Sequence, residues 1–347
     1  LVHDIAVIRG DGIGPEITEA AQRVIEAAGV AVRWHETPAG GAARQRLGHE
    51  LPLSTIDTIR RLGVVLKAPL NAERCTGGVL VESNGGVRRH PSVNNGLRRE
   101  LDLFVNIRPV RGWGKVSGAY ARMDLVIMRE VTEDIYSGIE RQISDDCAEA
   151  VKRITRRASE RVARFACDYA RRCGRSDVCA IHKANVLHLS DGLFLRTVRE
   201  TVAGYPDLVF SESAIDAACY LLVKKPETFD VLVCPNQYGD ILSDLAAGLV
   251  GSLGLAPGAN LGEHTAMFEA AHGAAPDIAG QEIANPIGLI LSGAMMLDYI
   301  GETAAASRIR RAVAEILNQE RHLTPDLGGT ARTSDLARAL CAAVGNG

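Results

Sequence analysis

Aromatic side chains are scarce, 4% of the 347 residues, so the chain has little from which to build stacking platforms for single-stranded nucleic acid. Charge of one sign is missing too: 39 basic residues face 42 acidic ones, which leaves no electrostatic footprint for nucleic acid or an anionic membrane. Long hydrophobic runs are absent; no stretch of about 18 apolar residues occurs, and Leu1 to Gly10 lacks a basic region followed by an apolar one. Neither a transmembrane helix nor a signal peptide is expected, and the expected address is cytoplasmic. The eight cysteines, at positions 75, 147, 167, 173, 179, 219, 234 and 341, form no Cys-x-x-Cys pair, which excludes a zinc ribbon and a disulfide framework. They are expected to be small buried hydrophobes in a reducing compartment.

What is present is an alternation. Short β-rich runs (Asp4–Ile8, Gly63–Leu66, Asp124–Met128, Val178–His182, Leu208–Phe210, Asp230–Cys234) are separated by segments with apolar residues three and four apart. These helical segments are Pro15–Ala28, Ala158–Arg171, Gly192–Val202, Asp240–Val250 and Pro286–Ile300. The pattern predicts an α/β sandwich, and the length predicts about two domains. Cys75 to Arg89, rich in glycine, reads as a mobile loop.

Five motifs carry chemistry. Gly10-Asp11-Gly12-Ile13-Gly14-Pro15 follows the opening strand but has Pro15 where a Rossmann fingerprint needs its third glycine, so taken alone it is a tight strand-to-helix turn. In Tyr238-Gly239-Asp240-Ile241-Leu242-Ser243-Asp244, four-residue spacing puts Asp240 and Asp244 on one helix face, two hard oxygen donors suited to Mg2+ or Mn2+. Asp216, in an otherwise apolar helical run, is the candidate third donor. Arg98, Arg108 and Arg129 are guanidinium groups suited to a polycarboxylate, if they converge; singly, each is more often a surface or structural ion pair. Ile181-His182-Lys183-Ala184-Asn185 and Glu133-Asp134-Ile135-Tyr136-Ser137-Gly138 offer a lysine and a tyrosine for proton transfer. The fifth is a Gly/Ala/Pro-rich loop from His272 to Asn285, where Asn285 could cap the next helix or hold a ligand.

In this order, and over nearly the whole chain, these segments resemble the isocitrate and isopropylmalate dehydrogenase family of β-decarboxylating dehydrogenases, with motifs nearest to the NAD-dependent isocitrate enzymes. The resemblance implies a two-domain αβα sandwich with a mixed sheet, not a Rossmann fold. It implies a large cofactor-binding domain from residues 1–103 and 251–347, a small domain from 104–250, and a homodimer with shared active sites. It places NAD against Ile13, His272, Gly273, Ala275, Asp277, Ile278 and Asn285, and Mg2+ or Mn2+ on Asp240, Asp244 and the neighbouring subunit's Asp216. It assigns proton transfer to Lys183 and Tyr136, with Asp216 beside them, and the substrate to Ser92, Asn94, Arg98, Arg108, Arg129 and Asn185. Asp277 would accept hydrogen bonds from ribose hydroxyls and repel a 2′-phosphate, which favours NAD over NADP.

Ser92-Val93-Asn94 matches the Ser-x-Asn pair with which isocitrate enzymes of this family hold the extra carboxylate, so isocitrate is the expected substrate. Val131, where Asn is usual, and a lengthened segment before Ser92 keep homoisocitrate, 3-isopropylmalate, tartrate and a phosphonomethylmalate as alternatives. A non-catalytic regulatory subunit is the alternative of another class; such subunits lose part of the Tyr, Lys, Asp and Arg set, which is complete here.

Overall fold

The computed structural model describes residues 1–71, 78–83 and 86–345. The chain divides into two compact units. The first is built from Leu1–Asp102, Gly112–Ala121 and Val250–Gly347, the second from Leu103–Arg111 and Arg122–Leu249. Both chain ends therefore belong to the first unit.

In the first unit the strands lie in the order Pro257–Leu261, Ala266–Ala270, Val64–Lys67, Val2–Ile8, Ala31–Glu36. The first pair is antiparallel and the rest are parallel. Helix Ile287–Tyr299 is apolar almost all round, with ten of its residues buried, as befits a helix inside a core rather than on a surface. It packs on the strands and on helices Gly14–Ala27 and Thr303–Gln319. Each fully buried Leu or Ile there contributes about 1.5–3 kcal/mol.

The second unit orders its strands Val209–Ala214, Asp177–His182, Val231–Cys234, Asp124–Glu130, Val105–Arg111, again parallel except for the last pair. Helices Arg156–Cys173, Ser190–Val202, Ile215–Lys224 and Asn236–Leu249 complete it. Each unit thus has the mixed sheet expected, and the αβ alternation stands.

Several elements differ from expectation. The segment from Cys75 to Arg89 is not simply a loop: Val79–Ser83 and Gly86–His90 pair antiparallel, and Cys75 itself lies outside the described residues. Val79 and Val81 are buried while Leu80 between them is exposed, the period of a ribbon. Strands Val105–Arg111 and Pro257–Leu261 carry Arg, Asn, Pro and Gly, and so hide from a search for apolar runs.

Candidate active site

Two arginines dominate the second unit. Arg108 and Arg129 lie on adjacent antiparallel strands and are buried, 7% and 2% exposed. Buried guanidinium groups require partners, and helix Asn236–Leu249 supplies them. Arg129 donates through Nε and Nη2 to Asn236 Oδ1 (2.9 and 2.7 Å) and through Nη1 to Asp240. Arg108 donates to Ser243 Oγ (2.8 Å), Asp244 Oδ1 (3.0 Å) and, through Nε, Asn106 Oδ1 (2.8 Å). Gly239 lets this helix press on its strand: a Cβ there would stand 2.7 Å from the Arg129 side chain.

Tyr136 sits in the short 3-10 turn Ile135–Ser137 and donates its hydroxyl to Asp240 Oδ2 (2.9 Å), with the Arg129 guanidinium 5.5 Å from its ring centre. Burial, reinforced by the Asp240 carboxylate, pushes the phenol up to about 12, so it holds its proton at neutral pH. The Asp244 carboxyl is raised by burial and by Asp240, against the pull of Arg108. Two carboxylates still crowded after their arginines are paired form a donor set that a divalent cation fits.

Lys183 and Asp216 form their own ion pair, 2.6 Å long, at the end of strand Asp177–His182 and in the first turn of helix Ile215–Lys224. The hydrogen bond from Lys183 holds the Asp216 carboxyl below its ordinary range. Asn185 is exposed in the following turn. Among the described residues, no group of three His, Cys, Asp or Glu side chains is placed to hold a metal ion, so Asp216 does not complete the Asp240–Asp244 set within the chain.

In the first unit Ser92 caps helix Val93–Glu100, its Oγ accepting from Asn95 N–H (3.2 Å). That use leaves its own hydrogen to donate. Asn94 Oδ1 is buried without a hydrogen-bond partner. Arg98 is partly engaged: Nε donates to Asn260 Oδ1 (3.1 Å) and Nη2 to Glu269 Oε1 (3.3 Å). Glu269 also pairs with Lys67, its register partner on the next strand, and the two cations overcome burial to keep its carboxyl far below the ordinary range. Sequence reading missed Lys67, Glu269, Asn260 and Asn236. The one available signal was a charged residue inside a short apolar run, Ala266 to Ala270.

Ile13 and the 272–285 loop meet: Ile13 N–H donates to Ala274 O (2.9 Å), and a Cβ on Gly12 would fall 2.0 Å from that oxygen. His272 donates through Nδ1 to the Gly273 carbonyl in the tautomer that fits, and its Nε2 is buried without a partner. Ala275 adopts a positive φ of 40°, while Asp277 is exposed and Ile278 half-buried. Asn285 does structural work, its Oδ1 accepting from Ile287 N–H and its amide donating to Asp326. An orphaned imidazole nitrogen and an exposed carboxylate, on one loop locked to the Gly12 turn, fit an adenosine moiety.

Buried arginines answered by helix carboxylates, with a protonated tyrosine between, define the class: an acid-base enzyme for polycarboxylates on mixed α/β units. The chain matches the isocitrate/isopropylmalate dehydrogenase family over residues 4–340 and belongs to it. It is thereby an NAD-linked, metal-dependent decarboxylating dehydrogenase. It is 44% identical over 333 residues to the Arabidopsis thaliana protein named isocitrate dehydrogenase [NAD] catalytic subunit 5, mitochondrial, covering 96% of this chain and 86% of that one. With the human isocitrate dehydrogenase [NAD] subunit alpha, mitochondrial, it shares 41% over 344 residues, 99% of this chain and 91% of the relative. The crystal structure of isocitrate dehydrogenase from Methylococcus capsulatus superposes with a TM-score of 0.92 at 46% identity, covering 99% of both chains.

The cytoplasmic expectation is overturned by these relatives: the human and Arabidopsis proteins, and a Drosophila melanogaster one at 42% identity, are mitochondrial. Composition could not have shown this, because address signals are cleavable segments read apart from the fold.

Proposed function

We propose that this chain oxidises isocitrate with NAD+ to 2-oxoglutarate and CO2, in a homodimer whose two protomers complete each active site. The observation that carries the reaction is the Arg129–Asp240–Tyr136 cluster, in which one carboxylate is shared by a guanidinium and a proton-bearing phenol. Arg108 and Arg129, and Arg98 through what Glu269 and Asn260 leave unengaged, grip the substrate carboxylates by paired hydrogen bonds. Lys183, relayed through Asp216 and reaching into the neighbouring protomer's site, takes the hydroxyl proton. Tyr136 returns a proton to the carbon that CO2 leaves. Asp240, Asp244 and the neighbour's Asp216 would hold Mg2+ or Mn2+, which would supply Lewis-acid chemistry there. NAD+, held by Ile13, His272, Gly273, Ala275, Asp277, Ile278 and Asn285, supplies the hydride acceptor. Among the described residues Asp216 forms no metal-holding group with Asp240 and Asp244, and a second protomer would supply the third donor.

Isocitrate is favoured over its homologues by two features. Ser92 keeps a donatable hydrogen at a helix N-terminus, and Asn94 holds a buried oxygen without a partner, so the third carboxylate finds polar neighbours rather than an apolar wall. The complete set of Tyr136, Lys183, three acids and three arginines favours catalysis over a regulatory role, as do relatives named catalytic subunits. The test is NADH production by the isolated chain with Mn2+ or Mg2+ across isocitrate, homoisocitrate, 3-isopropylmalate, tartrate and phosphonomethylmalate. Tyr136→Phe should keep hydroxyl oxidation better than completed turnover, which falls about 100-fold or more. Turnover of another acid but not isocitrate overturns the substrate, and wild-type turnover of the tyrosine variant overturns its role.

A further inference from the structure

Behind the site, in the second unit, lies a charged cluster to which nothing above gives a part. Asp134 and Asp191 are fully buried, and the Lys152 ammonium, on a side chain 13% exposed, stands 2.7 Å from Asp191 Oδ1 and 3.8 Å from Asp134 Oδ1. It also lies 4.1 Å from the ring centre of Tyr238. Each acid holds a different piece of the machinery. Asp134, at a positive φ of 74°, accepts from Ile135 N–H (2.8 Å) and Gln237 N–H (3.0 Å), and so shapes the turn that presents Tyr136. Asp191 accepts from Lys183 N–H (2.7 Å) and the Tyr238 hydroxyl (3.0 Å), two residues from Asp240.

We infer that Lys152 is a positioning residue: its ammonium fastens the turn carrying Tyr136 to the turn carrying Lys183 and to the start of the helix carrying Asp240. The inference rests on the proton-transfer roles proposed above. The physical reason is that two buried carboxylates repel each other and can both hold their turns only while a cation stands between them. A lysine on an irregular segment is otherwise solvated, and one held between two buried acids and an aromatic face is not there by default.

The test is steady-state kinetics of the full-length protein with isocitrate, NAD+ and Mg2+, in H2O and D2O. Lys152→Met should lower kcat by about tenfold or more while each KM stays within about threefold, because misplacing proton-transfer groups costs the transition state and not ground-state binding. The solvent isotope effect on kcat should rise as proton transfer becomes slower, and Lys152→Arg should recover most of kcat. A merely structural lysine would change the folded fraction without moving the isotope effect. A Lys152→Met kcat within about twofold of wild type, or a loss equal in Lys152→Arg with an unchanged isotope effect, overturns the inference. Should Lys152→Met not fold, Lys152→Gln keeps a polar donor but removes the charge; an unchanged kcat and isotope effect there also overturns it. Tyr136→Phe and Lys183→Met run in parallel: if they turn over normally, the proposed reaction fails; if only they are impaired, the positioning role fails alone.

Discussion

Glu133→Gln tests how far burial controls the carboxyls behind the Tyr136 turn. Glu133 is 8% exposed and accepts from Thr155 N–H (2.7 Å) and Thr155 Oγ1–H (2.9 Å). Burial, with the like charge of Glu130 beside it, raises its carboxyl from 4.5 to about 7. The folded state therefore binds this proton more tightly than the unfolded chain does. Its contribution to stability is complete below about 4.5 and is lost as pH rises through about 7. A shift of this size corresponds to about 3 kcal/mol unscreened, and solvent screening reduces it to about 1–2 kcal/mol. Glutamine keeps an oxygen for Thr155 N–H and does not titrate. Urea unfolding followed by circular dichroism at pH 5 and pH 8 should show wild type losing about 1–2 kcal/mol more than the variant over that interval. Glu130, whose carboxyl is also raised by burial, lies beside Glu133, so the difference reports the titration of the coupled pair. A wild-type minus variant difference that stays flat, or grows with pH, would refute the reasoning.

Three further outcomes are expected. Asp277→Lys should raise kcat/KM for NADP+ relative to NAD+ by about tenfold or more, since it replaces a repelled phosphate with a paired one; an unchanged cofactor ratio would show that Asp277 does not face the ribose. Ser92→Ala should cost about 1 kcal/mol in thermal unfolding, by losing the helix cap, and should raise the KM for isocitrate; loss of stability alone would leave Ser92 a cap and nothing more. Chelation of divalent ions should abolish NADH formation and Mn2+ or Mg2+ should restore it, with Asp240→Asn needing more metal for the same rate; activity that survives chelation contradicts the metal-binding role of Asp240 and Asp244.

Local patterns showed through the sequence, and long-range pairings did not. Asp240 and Asp244 could be placed on one helix face because helical spacing is a local property. That Arg129 would meet Asp240 depends on two strands and a helix brought together across 111 positions, a separation no periodicity encodes. Lys152 illustrates the limit better still: in Val151-Lys152-Arg153 it looks like any solvated basic residue, and only the burial of Asp134 and Asp191 gives it meaning. Glu269 was hidden for the opposite reason, a charge inside the apolar run Ala266 to Ala270, where its partners Lys67 and Arg98 come from distant segments. Asn285 could be read as cap or ligand; its Oδ1 accepts from Ile287 N–H at the start of the next helix.

The first unit closes on both termini: helix Thr333–Gly345 packs against helix Gly14–Ala27, and strand Ala266–Ala270 lies beside Val64–Lys67. During synthesis the opening hundred residues therefore leave the ribosome without half of their core. The second unit, nearly continuous in the chain, can condense while they wait. For that interval the nascent amino-terminal segment exposes apolar strand surface, such as Ile5 to Ile8, which makes it the part of the molecule with most need of a chaperone.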